Sequence, residues 1–305
     1  MYNFIYFTDL HLRLSSPRRR TDDIFAAQVA KLEWIFKRAE ELGSEAIICG
    51  GDFGDNWDWK ISTANKIINL LKKAPCPVVT IIGNHDVPGR NPTQWEETGL
   101  GLLHNAGSIY ILDSKDTGEH FNLAGLDVYA FHSDSKRTED LINGKTIPTE
   151  QTKHLKVAIV HAPVGAETTP FCKGHKELFI NDFDVALFGD IHPGWPVYES
   201  ITGCKIANPG AATRLSKTDI NRKPMVAVVY SNGHIDYEEI PHTPAKECFD
   251  LEGIQAERQE LGKGFLAAIA ARNAAGDLDP KSYVEKIGTE GGYSVKSIEL
   301  LKEEL

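Results

Sequence analysis

The sequence has few cysteines and no long apolar run, and both shortages exclude classes of protein. Five cysteines lie far apart in 305 residues and never form a CxxC pair, which argues against a disulfide framework and a cysteine zinc site. They are Cys49, Cys76, Cys172, Cys204 and Cys248. No run approaches the ~18 apolar residues of a membrane span. The N-terminal MYNFIYFTDLH has no basic leader, so we expect no signal peptide and a reducing, cytoplasmic location.

Positive charge is also scarce. The chain has 33 Lys and Arg against 43 Asp and Glu, a net charge of −10, which disfavours broad binding to polyanions. Nucleic acid stays open as a substrate, because metal ions and a local basic patch can supply positive charge. The length suits one large α/β domain, with or without a small appendage. We place a catalytic domain at 1–246 and a helical C-terminal extension, rich in Ala, Glu, Lys and Leu, at 247–305.

Strands alternate with helices in the first half of the chain. Apolar residues at Phe25, Val29, Leu32 and Phe36 recur at helical spacing. We predict strands over 4–7, 46–49 and 77–82, and helices over 22–42 and 62–74. This alternation predicts parallel βαβ units.

Short strands dominate the second half. We predict them over 121–123, 127–131, 155–160, 185–188, 205–207, 225–230 and 234–240. Ser231-Asn232-Gly233 is typical of a hairpin turn between the last two. We favour two sheets over one for this number of strands.

Polar residues with metal-binding side chains follow five of these apolar runs. They are Asp9, His11, Asp52, Asn84, His85, His161, Asp190 and His192. Sites in open α/β sheets gather at the carboxyl ends of strands, so we expect these residues to converge. Asp, Asn and His without Cys suit Mn²⁺, Fe²⁺, Zn²⁺ or Mg²⁺. Eight such residues exceed the needs of one ion, which favours two ions that share a carboxylate.

The same residues resemble the five motifs of the calcineurin-like metallophosphoesterases, in the same order. These motifs are Asp9-x-His11, Gly51-Asp52, Gly83-Asn84-His85-Asp86, His161 and Gly189-Asp190-x-His192. Within that superfamily the chain is most similar to the SbcD-type DNA repair nucleases, particularly the phage-encoded branch. Longer stretches carry this closer likeness: DLHLRLSSPRRRTDDIFAAQVAKLEWI, GGDFGDNW, GNHDVPGRNP, GDIHPGW and ANPGAATRLSKTDINRKPMVAVV.

The resemblance implies a fold and a set of residue roles. The fold would be α/β, a four-layer α-β-β-α sandwich of two mixed sheets flanked by helices, with a short helical C-terminal tail. One ion would be held by Asp9, His11, Asp52 and His192, and the other by Asp52, Asn84, His161 and Asp190. His85 would protonate or stabilise the leaving oxygen, and Asp86 would orient His85 through a hydrogen bond.

Position 190 departs from the family, which usually has Gly-His-x-His where this chain has Gly-Asp-Ile-His. In one interpretation Asp190 still binds the ion and, as a harder ligand, favours Mn²⁺ or Mg²⁺. In a second, the second ion binds weakly or only with substrate. In a third, the site is degenerate and inactive. We rank the first interpretation highest because the strand, the glycine and the second histidine are kept, and the third lowest because every other ligand is present.

Several arginines near the motifs are candidates for contacts with the DNA backbone. They are Arg13, Arg18, Arg19, Arg20, Arg90 and Arg214. The alternative is an ordinary solvated loop. Trp57 and Trp59 could stack on bases or close the core, and the sequence favours neither.

We therefore predict a two-metal phosphodiesterase that hydrolyses DNA as an exonuclease or endonuclease, with Mn²⁺ as the favoured ion. A hydroxide shared by the ions would attack the phosphate. The resemblance also implies an SbcC-type ATPase subunit and a homodimer as partners. Two alternatives stay open, which are a phosphoesterase for small molecules and a non-catalytic DNA-binding subunit with a degenerate site.

Overall fold

Two six-stranded sheets form the centre of the protein in a computed structural model. The structure describes residues 2–112, 120–123, 125–147, 149, 152–166, 169 and 172–256. The strands are β1 (Asn3–Phe7), β2 (Ala46–Cys49), β3 (Val78–Thr80), β4 (Tyr110–Ile111), β5 (His120–Leu123), β6 (Leu126–Phe131), β7 (Leu155–His161), β8 (Val164–Gly165), β9 (Lys173–Gly174), β10 (Val185–Gly189), β11 (Trp195–Glu199), β12 (Lys205–Asn208), β13 (Met225–Tyr230) and β14 (Ile235–Glu239). The helices are α1 (Ile24–Leu42), α2 (Ile61–Leu71), α3 (Gly99–Asn105), α4 (Lys136–Ile142) and α5 (Ala245–Cys248).

Both sheets are mixed, as predicted. The first has the order β14-β13-β1-β2-β3-β4, in which β1 to β4 are parallel and β13 and β14 are antiparallel neighbours. The second has the order β11-β12-β10-β7-β6-β5, with a parallel centre and an antiparallel strand at each edge. Strands β8 and β9 form a separate small pair.

Alternate side chains of β1 explain why this strand is apolar throughout. Phe4 and Tyr6 pack between the two sheets, whereas Ile5 and Phe7 pack on the other face among residues of α1 and α2. A strand that is buried on both faces is an almost continuous apolar run. The layers are therefore helices, sheet, sheet and an outer layer with α4, which confirms the predicted α-β-β-α order.

Helix α1 has clear boundary signals. The Asp23 side chain accepts a hydrogen bond from the Ala26 N–H at its start, and Gly43, with φ of 59°, ends it in a left-handed turn. Its buried residues include Leu32, Ile35 and Phe36. This packing places the first turns of α1 beside the loop that follows β1.

Some elements differ from the sequence-based expectation. Helix α2 ends at Leu71, and β3 is three residues long, so both are shorter than predicted. The predicted C-terminal helical extension lies largely outside the described residues, which in this region comprise α5 and a helical turn at 251–256. Among the helices that the structure describes, none has the length and apolar character needed to cross a bilayer.

Candidate metal centre

The ligands predicted from the strand ends lie at one edge of the two sheets. Asp9 follows β1, Asp52 follows β2, His161 ends β7 and Asp190 follows β10. The ligand atoms of Asp9, Asp52 and His161 lie within 4.8 Å of one another, as do those of Asp9, His11 and His192. Side chains up to 183 positions apart in the chain are thus brought together as expected.

Asp52 lies between the two predicted ligand sets. Its Oδ2 atom is 3.6 Å from His11 Nε2 and 3.5 Å from His161 Nε2. Atoms that bind one ion at about 2.0–2.2 Å lie roughly 3–3.5 Å apart, so both separations are close to those of shared coordination. Its other oxygen, Oδ1, accepts a hydrogen bond of 2.9 Å from the His85 N–H. The carboxylate is therefore held with Oδ2 facing both histidines.

Each set contains a second close contact between ligand atoms. His11 Nε2 and His192 Nε2 are 3.1 Å apart in one set. His161 Nε2 is 3.1 Å from Asn84 Oδ1 in the other and 3.8 Å from Asp190 Oδ1. Asp190 thus lies beside this set, where we predicted a ligand.

Asp9 provides a direct test of whether a cation fits. Its Oδ2 atom accepts hydrogen bonds from the Thr8 hydroxyl at 2.7 Å and from the Asp190 N–H at 3.2 Å. Its Oδ1 atom is buried and has no hydrogen-bond partner among the described residues. A buried carboxylate oxygen without a partner is costly. A divalent cation at the centre of the cluster would satisfy this oxygen, so the residues fit such an ion.

The tautomer of His161 is also suited to metal binding. Its Nδ1 atom is 2.7 Å from the Gly50 carbonyl oxygen. A carbonyl can only accept, so Nδ1 carries the proton and donates. The ring thereby directs Nε2 toward the ligand cluster, as in many metal sites where the second nitrogen is hydrogen-bonded.

Four of the candidate ligands have a backbone conformation that residues other than glycine rarely adopt. The φ angles are 52° at Asp9, 47° at His11, 50° at Asp52 and 85° at Asp190. Such strain often marks functional sites, where the surrounding structure holds it in place. The described residues include only three other non-glycine residues with positive φ, so the strain is concentrated at the centre.

Two glycines make room for the ligands. A Cβ atom at Gly83 would lie 2.1 Å from Asp52 Oδ1, and one at Gly51 would lie 2.5 Å from His161 Nδ1. Gly51 also has a φ angle of 94°. Any larger residue at either position would displace a ligand, which explains why glycine precedes Asp52 and Asn84.

Buried negative charge shapes the ionisation of the centre. Burial raises the pKa of Asp9 and of Asp190. Burial opposes the Asp52 carboxylate too, but the neighbouring His161 imidazole outweighs it, through its charge and a hydrogen bond, and holds the pKa of Asp52 below its usual value. Burial lowers the pKa of His11 to about 3, so this imidazole is neutral and can offer a lone pair to a metal ion. Crowded carboxylates in a water-poor volume are stabilised by a cation.

The centre is closed on one side and open on the other. Asp9, His11, Asp52 and His161 are buried, whereas Asn84, Asp190 and His192 are half-buried and His85 is exposed. Substrate can therefore approach from the side of His85. The His85 ring meets the His11 ring edge to face, with centroids 4.7 Å apart.

The structure corrects the role that we expected for Asp86. Its two carboxylate oxygens accept hydrogen bonds from the N–H groups of Gly54 and Gly83, at 3.0 and 2.9 Å. The His85 Nδ1 atom instead donates to the backbone oxygen of Asp55 at 2.9 Å. Asp86 therefore holds the loops after β2 and β3 together, and Asp55 orients His85.

The six candidate arginines do not form one surface. Arg20 and Arg214 point inward: Arg20 binds Asp22 and the Arg214 carbonyl, and the buried Arg214 binds the carbonyls of Ile220 and Thr243. The structure thus gives both of them a structural role, in place of the expected DNA contact.

The other four candidate arginines are nearer to solvent. Arg13 pairs with Asp55 at 3.0 Å, and Arg19 pairs with Asp250 at 2.7 Å. Arg90 is 67% exposed and lies 3.8 Å from Asp134. Arg18 is exposed. Contacts of these four with DNA stay predictions.

The two tryptophans have separate environments. Trp59 packs against Phe53 and Gly99 and donates its indole N–H to the Asn56 carbonyl, so it belongs to the core. Trp57 is 42% exposed.

Thr8 and Asp55 are two site residues that the sequence analysis did not single out. Each lies beside a motif: Thr8 directly before Asp9, and Asp55 shortly after Gly51-Asp52.

Comparison with known proteins identifies a family pattern in the sequence. The pattern of the calcineurin-like phosphoesterases matches residues 2–194. A search among curated proteins finds no match. Similar solved structures include an archaeal phosphodiesterase, with 11% identity over 78% of this chain and 99% of that one and a TM-score of 0.41. The protein TT1561 of Thermus thermophilus has 10% identity over 78% and 99% and a TM-score of 0.48. The NAD nucleotidase of Haemophilus influenzae has 12% identity over 79% and 50% and a TM-score of 0.43.

Proposed function

The chain belongs to the calcineurin-like phosphoesterase family, and on this premise we propose that it is a two-metal phosphodiesterase that cleaves DNA. The observation that carries the catalytic part is the position of Asp52 Oδ2, 3.6 Å from His11 Nε2 and 3.5 Å from His161 Nε2. One carboxylate oxygen faces a histidine from each ligand set. A solvent-exposed imidazole, His85, stands beside this pair.

The ligand residues would hold two divalent ions. Asp9, His11, Asp52 and His192 would bind one, and Asp52, Asn84, His161 and Asp190 would bind the other. Bound ions of this kind polarise a phosphate and stabilise the attacking and leaving oxygens. The buried ligands exclude water from the inner side, and the half-buried ones face the side from which a phosphodiester can enter.

His85 is the candidate general acid. Its Nδ1 atom donates to the Asp55 carbonyl, so Nε2 is the nitrogen that can give a proton to a leaving oxygen. An imidazole titrates near neutral pH, which suits proton transfer of this kind. Asp55 fixes the ring orientation through its backbone, and Asp86 fixes the loop on which His85 lies.

Two exposed side chains and the sequence resemblance support DNA as the substrate. The stretches that resemble SbcD-type nucleases include GNHDVPGRNP, which contains Arg90. The Arg90 side chain is exposed. It is also near enough to Asp190 that its charge lowers the pKa of that carboxyl, whereas burial raises it. A guanidinium there could contact a phosphate beside the scissile bond. Trp57, also exposed, could stack on a base.

A second candidate is a phosphodiesterase or phosphomonoesterase for small molecules. The ion pairs of Arg13, Arg19, Arg20 and Arg90 with aspartates favour it, because they reduce the positive charge available to a DNA backbone. The net charge of −10 acts in the same direction.

A nuclease assay separates the two candidates. We expect linear and hairpin DNA to be cut with Mn²⁺ faster than bis-p-nitrophenyl phosphate is hydrolysed at equal phosphodiester concentration. Arg90→Gln should slow DNA cleavage more than it slows turnover of the small substrate. Lys37→Gln, which removes a distant exposed cation, serves as the matched control. Hydrolysis of the small substrate with DNA left intact would contradict the DNA proposal and favour the second candidate.

The expected partners remain part of the proposal. An SbcC-type ATPase subunit and a homodimer are supported by the resemblance to SbcD-type nucleases alone. Light scattering of the purified chain tests the homodimer, and a mass near 33.7 kDa would contradict it.

A further inference from the structure

Helix α1 directs two buried polar side chains toward the loops of the metal centre. Gln28 is 0% exposed and Lys31 is 5% exposed. Such residues are rarely so buried, and when they are, their polar atoms need partners. Both residues lie on the face of α1 that contacts the loops after β1 and β12.

The Gln28 amide spans the loop that carries His11. Its Nε2 atom donates to the carbonyls of Leu10 and His11, each at 2.8 Å, and its Oε1 atom accepts from the Arg13 N–H at 3.1 Å. Three peptide groups of the loop backbone are thus fixed by one side chain.

His11 needs this restraint because of its backbone. Its φ angle is 47°, in the region that is unfavourable for residues with a side chain, and such strain persists only where neighbouring groups hold it. The His11 N–H donates to the Asp52 carbonyl at 3.0 Å, and the His11 carbonyl accepts from Gln28. One ligand loop therefore holds the backbone on the N–H side of His11, and Gln28 holds it on the carbonyl side.

The same helix face holds the loop that supports His192. Lys31 Nζ donates to the Ala212 carbonyl at 2.6 Å, and Gln28 Nε2 is 3.5 Å from Thr213 Oγ1. The neighbouring Ala211 N–H donates to the His192 carbonyl at 3.0 Å. Helix α1 thus holds both the loop that carries His11 and the loop that supports His192, and the Nε2 atoms of these two histidines are 3.1 Å apart.

We propose that Gln28 is a positioning residue for the ion site formed by Asp9, His11, Asp52 and His192. The inference rests on the proposed two-metal function. None of the hydrogen bonds that Gln28 makes among the described residues involves a candidate ligand atom. Gln28 acts by holding the His11 backbone in its strained conformation, so that Nε2 stays beside Asp52 and His192. The site formed by Asn84, His161 and Asp190 receives no hydrogen bond from Gln28 among the described residues.

The test is Gln28→Met, which keeps the side-chain length, removes both donors and adds no charge. The matched control is Gln255→Met, at an exposed position of the helical turn at 251–256. Calorimetric titration of metal-free protein with Mn²⁺ should show two ions in the wild type and the control. We expect the variant to bind one ion about tenfold more weakly, a typical loss for a residue that supports a ligand, and the other with unchanged affinity.

Other outcomes separate the explanations. A variant with a lower melting temperature but both affinities unchanged would assign Gln28 to fold stability and overturn the proposal. Wild-type protein that binds no Mn²⁺ would overturn the proposed function and this inference with it, whereas two ions bound equally by wild type and variant overturn this inference alone.

A second substitution covers the case of poor folding. Gln28→Glu keeps an oxygen that can accept from Arg13, and we expect it to weaken the same ion site. If both variants fail to fold even with excess Mn²⁺, the residue serves the fold as a whole and the proposal is wrong.

Discussion

The proposed shared role of Asp52 gives the sharpest test of the metal centre. Asp52→Asn removes one negative charge and replaces one carboxylate oxygen with an amide nitrogen, at nearly constant volume. The remaining oxygen can still accept the His85 N–H that now binds Oδ1 at 2.9 Å. We therefore expect the fold to survive and the capacity to hold two ions to be lost, because Oδ2 faces both His11 and His161.

The size of the effect follows from binding linkage. An ion at 100 times its dissociation constant stabilises the folded state by about 2.7 kcal/mol. With an unfolding entropy of about 2.1 cal/mol/K per residue, 305 residues correspond to roughly 0.6 kcal/mol per degree. Each ion should thus raise the melting temperature by about 4 °C, and two ions by about 8 °C.

Thermal unfolding with and without Mn²⁺ measures this difference. Wild-type protein should gain about 8 °C at saturation, and Asp52→Asn should gain less than half of that. Asp58→Asn is the control, since Asp58 is exposed and loses the same charge. Equal gains in wild type and Asp52→Asn, with two ions bound to each, would refute the assignment of Asp52 as the shared ligand.

Three further predictions concern residues around the ligands. His85→Gln should abolish phosphodiester cleavage and leave the Mn²⁺-induced rise in melting temperature unchanged. His234→Gln, at an exposed position, is the control. A fully active His85→Gln variant would contradict the general-acid role. Thr8→Val removes the 2.7 Å hydrogen bond to Asp9 and should lower the free energy of unfolding, measured by urea denaturation, by about 1.5–3 kcal/mol. Thr8→Ser, the control, should lower it less. Equal losses in the two variants would contradict a stabilising role for this hydrogen bond. Burial and the neighbouring Asp52 raise the pKa of Asp86 to about 7, above its value of about 3.9 in the unfolded chain. The stability linked to protonation of Asp86 is therefore present below pH 4 and is lost as the pH rises through 7. Metal-free wild type should therefore lose unfolding free energy relative to Asp86→Asn between pH 4.5 and 7.5, and parallel pH profiles would argue against this shift.

The convergence of the candidate ligands was predictable because strand ends have a simple geometry. Asp9, Asp52, Asn84 and His161 each follow an apolar run, and parallel strands of a sheet present their carboxyl ends at the same edge. Spacing along the sequence is enough to assign such residues to that edge. The layers were predictable for a similar reason, since apolar runs such as Val185–Gly189 indicate strands buried on both faces.

The contacts of Asp86 could not be read from the sequence. Its nearest titratable neighbour in the chain is His85, which suggested a hydrogen bond between them. Its actual partners include the N–H of Gly54, 32 positions away. That contact depends on how the loops after β2 and β3 stack, and this stacking leaves no periodic signal.

The arginines show the same limit. The run of three basic residues at 18–20 looks like one solvated patch, but the left-handed turn at Arg19, with φ of 73°, separates its side chains. Arg19 reaches Asp250, and Arg20 reaches Asp22 and the Arg214 carbonyl. Short charged runs carry no information about which members find partners in distant loops.

The substitution at position 190 can be understood from the backbone of that residue. The Asp190 N–H donates to Asp9 Oδ2, so the main chain at position 190 supports Asp9, a candidate ligand of the other proposed ion, independently of its own side chain. The strand β10, the preceding Gly189 and the φ of 85° keep this N–H in place. A change from histidine to aspartate therefore alters the hardness and charge of one ligand without releasing Asp9. In the proposed two-metal site, a carboxylate at position 190 would favour hard ions such as Mn²⁺ or Mg²⁺, while the main-chain hydrogen bond to Asp9 stays in place.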